Sequence, residues 1–376
     1  MMRLSGLLLV AGLPAFAQGI LNPARLAPGL RSMEPSPGEQ RLICSVTPIP
    51  PALNFSLRIQ AGYSVKVPMS QYLGKGHRWA QIIRVTPRGD DSKSVFLGYR
   101  IDLPDVPANK VDVELGGGYL VGEGSYDVSW AMYDDQHRVC RKEWRVEAKL
   151  KRQERKVPQS MPPHTVAAFS LVGHAKAAPQ AGAGKRVTVL LHAAPLSPRR
   201  LHFRETDRMM LLGALSALME QIPAARVRVV AFNLDKQMEL YRQENFHPEM
   251  IDDVQKALDK LELELTDVNT LQHPLGPVEL VSSLVNQELF GDAPSDLVLF
   301  FGPRSRYIDQ PPRFELTLTA PPRFVALQFR SLFRLGGPPP QGVPADLIAN
   351  TVGSLKGRVF TLRTPADFAS ALRALK

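Results

Sequence analysis

At Arg186 the hydrophobic pattern of this chain changes period, and no other feature constrains the fold as strongly. Arg186-Val-Thr-Val-Leu-Leu-His192 is an apolar run of strand length that ends in a polar residue. A long apolar helical stretch follows at 205–221, with Thr206 or Asp207 as cap and Pro223 beyond its end. The alternation then repeats. Strands are expected at 227–232, 296–301, 323–329 and 358–362, and helices at 248–263, 277–289, 345–355 and 364–375. Residues 237–241 either extend the second strand or pair beside it. In the helix at 248–263, Met250, Val254, Leu258 and Leu261 recur at three- and four-residue spacing, which places them on one face. Strands that are apolar throughout must be covered on both sides, so the pattern predicts a doubly wound, mostly parallel α/β sheet. Ligands of such sheets bind outside the carboxyl ends of the strands. His192 and the loop Gly302-Pro-Arg304-Ser-Arg306-Tyr307 fall there.

Before Arg186 the signals differ. Short β segments are expected at 42–46, 55–59, 64–67, 79–85, 95–101, 111–115, 126–133 and 144–148, with turn signals at 87–90, 116–118 and 134–135. This spacing predicts an all-β sandwich over 41–148. In the best alternating segment, Tyr126, Val128 and Trp130 share one face, and Asp127, Ser129 and Ala131 share the other. Residues 18–40 read as an irregular lead-in rich in Pro and Gly. Residues 149–185 read as a basic Pro/Ala/Gly linker before the α/β domain at 186–376.

Residues 1–17 have the form of a secretory signal peptide. Arg3 precedes an apolar run from Leu4 to Phe16, and Ala15-Phe16-Ala17 supplies the cleavage pattern. The run is shorter than the roughly 20 residues a bilayer span requires. The expectation is an exported protein, periplasmic or extracellular, without stable membrane insertion. In an oxidising compartment the two cysteines, Cys44 and Cys140, are expected to form one disulfide.

The chain of 376 residues carries a net charge of +10, and half of that excess lies in 151–185. The α/β half is close to neutral. Nucleic-acid binding calls for cations on a folded face, often with stacking aromatics, so no nucleic-acid partner is expected.

Three stretches of the α/β half resemble the von Willebrand factor A domain: 187–191 before its long helix, the apolar run 296–301, and the closing strand and helix at 357–372. The chain is similar to exported bacterial proteins that carry such a domain. Gly124 through Asp134 likewise resembles the penultimate strand and turn of immunoglobulin-like domains. The A-domain resemblance implies a metal site built from Asp-x-Ser-x-Ser after the first strand, a later Thr and a late Asp. Here His192, Ala194 and Leu196 stand at the first three positions, and Gly302 stands near the late Asp. Only Thr266 or Thr270 could supply the loop hydroxyl. Mg²⁺ needs hard oxygen ligands, so the resemblance implies a degenerate domain without metal or other cofactor.

Other chemistry finds little support. His192, His202, His247 and His273 match no zinc spacing. Ser197 lacks the Gly-x-Ser-x-Gly elbow of a hydrolase. Gly182-Ala-Gly184-Lys185 precedes a strand, whereas a phosphate loop follows one. The expectation is a non-enzymatic protein-interaction module with a protein partner still to be identified. It would bind through His192, Ser197, Thr266, Thr270, Arg304, Arg306 and Tyr307. Two alternatives stay open: an envelope-associated hydrolase on the same fold, and an envelope or polysaccharide binder using the basic linker.

Overall fold

The computed structural model describes residues 18–106, 111–169, 184–196, 203–263, 268–291, 293–305, 314, 321–330 and 346–376. The expected signal peptide therefore lies outside the described residues, as do Ser197, Thr266, Arg306 and Tyr307. The chain divides into two units. The first comprises Met1–Ala52, Ile59–Lys149 and Met161–Phe169, and the second Leu53–Arg58, Leu150–Ser160 and Ser170–Lys376.

The first unit is built from β1 (Gly19–Leu21), α1 (Pro28–Ser32), β2 (Gln40–Arg41), β3 (Ser45–Leu53), β4 (Ile59–Pro68), β5 (Arg78–Pro87), β6 (Val95–Asp102), β7 (Asp112–Val121), β8 (Gly124–Asp134), β9 (Arg138–Ala148) and β10 (Val166–Ala168). A six-stranded sheet in the order β1-β6-β5-β8-β9-β2 accompanies a four-stranded sheet in the order β10-β7-β4-β3. Their inner faces meet through aromatic side chains. Tyr63 of β4 lies 5.6 Å from Trp130 of β8 and 6.3 Å from Trp144 of β9, measured between ring centroids. The Tyr63 hydroxyl donates to Gln81 Oε1 at 3.0 Å and accepts from Gln18. Tyr126, Val128 and Trp130 are buried together, as the alternation of β8 predicts.

Three readings of this half need correction. The lead-in at 18–40 is not irregular. Gly19–Leu21 pairs with β6, and Met33 packs with Leu26 and Leu30 against Ile82, Phe96, Ala131 and Val139. That cover explains why Ala131 is buried although it lies on the outer face. The glycines at 116–118 are not a turn but lie within β7, paired with β4. Gly117 is needed for space, because a Cβ there would overlap the Tyr63 hydroxyl. The described part of 149–185 is not an open linker. Val166–Ala168 adds β10 to the edge of β7, and 150–160 belongs to the second unit.

The disulfide joins Cys44, just before β3, to Cys140 in β9, with Cα atoms 6.2 Å apart. This separation lies within the normal range for the bond. Among the described residues no helix is long and apolar enough to cross a membrane.

One end of the first unit contains a titratable contact. His77 Nε2 lies 3.0 Å from Leu73 O, and Nδ1 lies 3.1 Å from Asp135 Oδ2. Both partners are acceptors, so only the imidazolium can satisfy both. The Leu73 carbonyl, and next Asp135, raise the His77 pKa above its ordinary 6.5, against the opposing effects of burial and Arg138. A raised folded value means this stabilisation is complete below the unfolded value and is lost as pH rises through the folded one. Urea unfolding of the wild type is therefore expected to weaken from pH 6 to 8 more than that of His77→Gln. Equal pH slopes would remove the assignment.

The second unit contains β11 (Lys185–His192), α2 (Glu205–Gln221), β12 (Ala224–Asn233), β13 (Met238–Gln243), α3 (Ile251–Asp259), α4 (Val268–Gln272), α5 (Gly276–Phe290), β14 (Leu297–Pro303), β15 (Arg323–Phe329), α6 (Leu347–Ser354), β16 (Arg358–Leu362) and α7 (Pro365–Leu375). Its six strands form one sheet in the order β13-β12-β11-β14-β15-β16. All neighbours are parallel except β13, which runs antiparallel beside β12. Alternate strand residues bury on opposite faces. Val189, Leu191, Leu299, Phe301 and Leu327 pack with α2, α3 and α7. Leu190, Val230, Phe300 and Ala326 pack with α5 and α6. This two-sided burial is the reason the strands carry no polar alternation.

Helix α2 is buried on nearly all sides from Leu211 to Leu218, because Leu53, Leu57 and Val157 join its cluster. The helix expected at 248–263 begins as a short 3₁₀ turn at Pro248–Met250, and its α-helical part ends at Asp259.

Candidate functional site

The strand order reverses direction at β11. The chain builds outward from it to β12 and β13, then returns on its other side with β14. A sheet wound this way opens a crevice beyond the carboxyl ends of the two strands at the switch point. These ends are His192 and Pro303.

His192 is buried, at 3% exposure. Its Nδ1 lies 3.2 Å from Pro303 O, and since a carbonyl can only accept, Nδ1 carries the proton. Its ring stacks on Phe232 at 5.4 Å. Gly302 has φ +153°, and a Cβ there would sit 2.5 Å from His192 O and 2.9 Å from His192 Cβ. The strand ends can approach this closely only because position 302 has no side chain. On the neighbouring strand, Asn233 donates to Ala193 O at 2.6 Å and accepts from Lys236 N at 2.7 Å.

Farther along the same edge, Asp346 caps α6. Its carboxylate receives four donors: Ser305 Oγ at 2.6 Å, Ala349 N at 3.2 Å, Gln328 Nε2 at 2.9 Å and Arg304 Nε at 3.1 Å. Ser305 Oγ also accepts from Ile348 N at 3.1 Å. Asp346 is 4% exposed and Ser305 2%. A buried carboxylate is tolerable when its lone pairs are filled and a cation stands beside it.

On the other side of the switch point the edge is more open. Gln237 Nε2 donates to Thr270 O at 3.2 Å and to His273 O at 2.9 Å, which ties the β12–β13 turn to α4 and the start of α5. Leu271 and Leu275 are 70% and 55% exposed there, and Met238, next to Gln237, is 48% exposed.

Of the sequence candidates, His192 and Arg304 share this edge, and Thr270 reaches its rim through the Gln237 contact. Four groups were missed: Asn233, Ser305, Gln328 and Asp346. The one readable signal was Asp346 before an apolar helical run, an N-cap pattern.

The arrangement restricts the chemistry. A serine nucleophile needs a base within hydrogen-bond reach. Ser305 has such a neighbour in Asp346, to which its hydroxyl donates at 2.6 Å, whereas His192 Nδ1–H is directed at Pro303 O. Among the described residues no group of three His, Cys, Asp or Glu side chains could hold a metal ion.

No protein-family profile matches the chain, and no curated protein does. Among solved structures it is similar to the superoxide reductase (neelaredoxin) from Ignicoccus hospitalis, at 14% identity and a TM-score of 0.20, over 28% of this chain and 80% of that one. It is also similar to a variant of the superoxide reductase (neelaredoxin) from Archaeoglobus fulgidus in the reduced form, at 11% identity and a TM-score of 0.20, over 31% and 96%. Likeness at this level carries no argument about function.

Proposed function

We propose that this is an exported, non-enzymatic protein-interaction protein. Its second unit would be a von Willebrand factor A-like domain that binds without metal, and its first an immunoglobulin-like sandwich. The observation that carries the reading is the closed switch point. Gly302 stands near the late acidic position in a conformation that favours glycine, and Asp346 is already neutralised by Arg304. The order of the six strands, with five of them parallel, supports the fold assignment. The Tyr126 hydroxyl donates to Gly122 O at 2.8 Å, the backward bond typical of the corner in immunoglobulin-like strands, which supports the other.

Binding would use the carboxyl edge, with Met238, Leu271 and Leu275 as apolar anchors beside polar Arg304. Exposed apolar side chains rimmed by polar groups are a common form of protein contact. A hydrolase draws some support from Ser305 and Asp346 lying on the edge that carries His192. The Asp346 carboxylate is already filled by Ser305, Ala349, Gln328 and Arg304, which favours the binding reading.

Two measurements test it. The unfolding temperature is expected to stay within replicate spread when Mg²⁺ or EDTA is added, since a ligand that binds the native state must raise it. A rise specific to Mg²⁺ would sink the metal-independent reading. Leu271→Asp with Leu275→Asp is expected to weaken capture of the protein partner by about tenfold, the loss seen when apolar anchors are removed. Unchanged capture would move the contact surface elsewhere.

A further inference from the structure

Lys151-Arg-Gln-Glu-Arg-Lys156 reads in sequence as part of a loose linker, but it is folded into the second unit. Glu154, the one acidic residue in the run, is turned inward at 8% exposure. Its Oε2 accepts from Lys151 N at 2.9 Å, and its backbone N donates to Lys151 O at 2.8 Å. Val157 donates to Glu154 O and is buried in the cluster around α2. Arg373, in the last turn of α7, donates to Lys156 O at 2.6 Å. The turn is thus fixed from both sides, and Lys151, Arg152, Gln153, Arg155 and Lys156 are all exposed.

Elsewhere in the molecule cations are commonly neutralised. Arg138 pairs with Asp134, Arg141 with Glu39, Arg208 with Asp259, and Arg228 with Glu244 and Glu288. On this ridge no carboxylate among the described residues pairs with Lys151, Arg152, Arg155 or Lys156. Arg373 adds a fifth positive charge at the same place. Concentrated, unneutralised charge on a fixed surface attracts polyanions and speeds their encounter.

We propose that this ridge is a binding surface for an acidic polysaccharide. The residue content selects the partner. The run has no aromatic side chain for stacking bases, as single-stranded nucleic acid would call for. Its apolar neighbour Val157 faces inward, so the ridge offers nothing to insert at a lipid interface. Guanidinium and ammonium groups with Gln153 suit a chain bearing repeated carboxylate or sulfate groups and hydroxyls.

The test uses the whole protein and immobilised polygalacturonate, with neutral dextran, phosphatidylglycerol vesicles and single-stranded DNA as comparison probes. Wild type is expected to bind polygalacturonate more tightly than the other probes, and binding should fall as salt rises. The triple variant Lys151→Glu/Arg152→Glu/Arg155→Glu is expected to lose at least about tenfold in affinity, as charge reversal at a contact surface does. The control Arg41→Glu/Arg100→Glu/Lys142→Glu changes net charge equally at other exposed sites and is expected to lose much less. A glutamine version of the ridge triple, together with unfolding temperatures, separates lost contacts from lost folding. Absence of wild-type binding, equal losses in the ridge and control triples, or tighter binding to vesicles or DNA would each overturn the assignment.

Discussion

Removing the Cys44–Cys140 bridge is expected to destabilise the first unit more than any surface substitution. The bond spans 96 residues of sequence. In the chain-entropy account, opening a loop of that length costs up to about 4–5 kcal/mol, and often less. For a domain of this size that corresponds to roughly 10 °C in unfolding temperature. Calorimetry of Cys44→Ala/Cys140→Ala, beside wild type with and without reductant, would measure it. The sandwich transition should fall in the variant and in the reduced protein, while that of the α/β unit stays in place. An unchanged sandwich transition would show the bridge to be energetically idle. Two freely alkylated thiols in the native protein would show that it does not form.

The second large effect is expected at Gly302. Any side chain there meets His192 O at 2.5 Å while the backbone holds φ at +153°. Backbone strain of this kind costs about 1–3 kcal/mol, and the overlap with backbone atoms of β11 adds to it. Gly302→Ala should therefore destabilise the α/β unit by on the order of 3 kcal/mol or more. Gly302→Asp separates two accounts of this edge. If the edge is closed by geometry, the aspartate variant is less stable and indifferent to Mg²⁺. If the site lacks only a ligand, the variant gains stability when Mg²⁺ is added. The first outcome is expected.

The α/β half was legible because burial on both faces leaves a strong mark. The runs at 187–191 and 296–301 have no polar alternation, and each is followed or preceded by a helical period. The sandwich was harder to read. Gly116–Gly118 reads as a turn until Tyr63 on the neighbouring strand is seen to need the space. The lead-in and 150–168 carry weak periodicity because their order comes from pairing with strand edges and from single contacts such as Arg373 to Lys156 O. At the candidate site His192 could be placed from its strand end alone. Asp346 could not be linked to Ser305, Arg304 and Gln328, because those partners lie 18 to 42 residues away in sequence.

The carboxylate of Asp346 gathers donors from the ends of β14 and β15 and from the first turn of α6. Those three ends cannot shift independently without exposing a buried charge to an unfilled bond. In the binding reading proposed above, a partner arriving at this edge would meet a surface that is already assembled and has little ordering left to impose. Encounter should then proceed without a slow conformational phase. Sequence changes around the rim would alter how long the complex lasts far more than how quickly it forms.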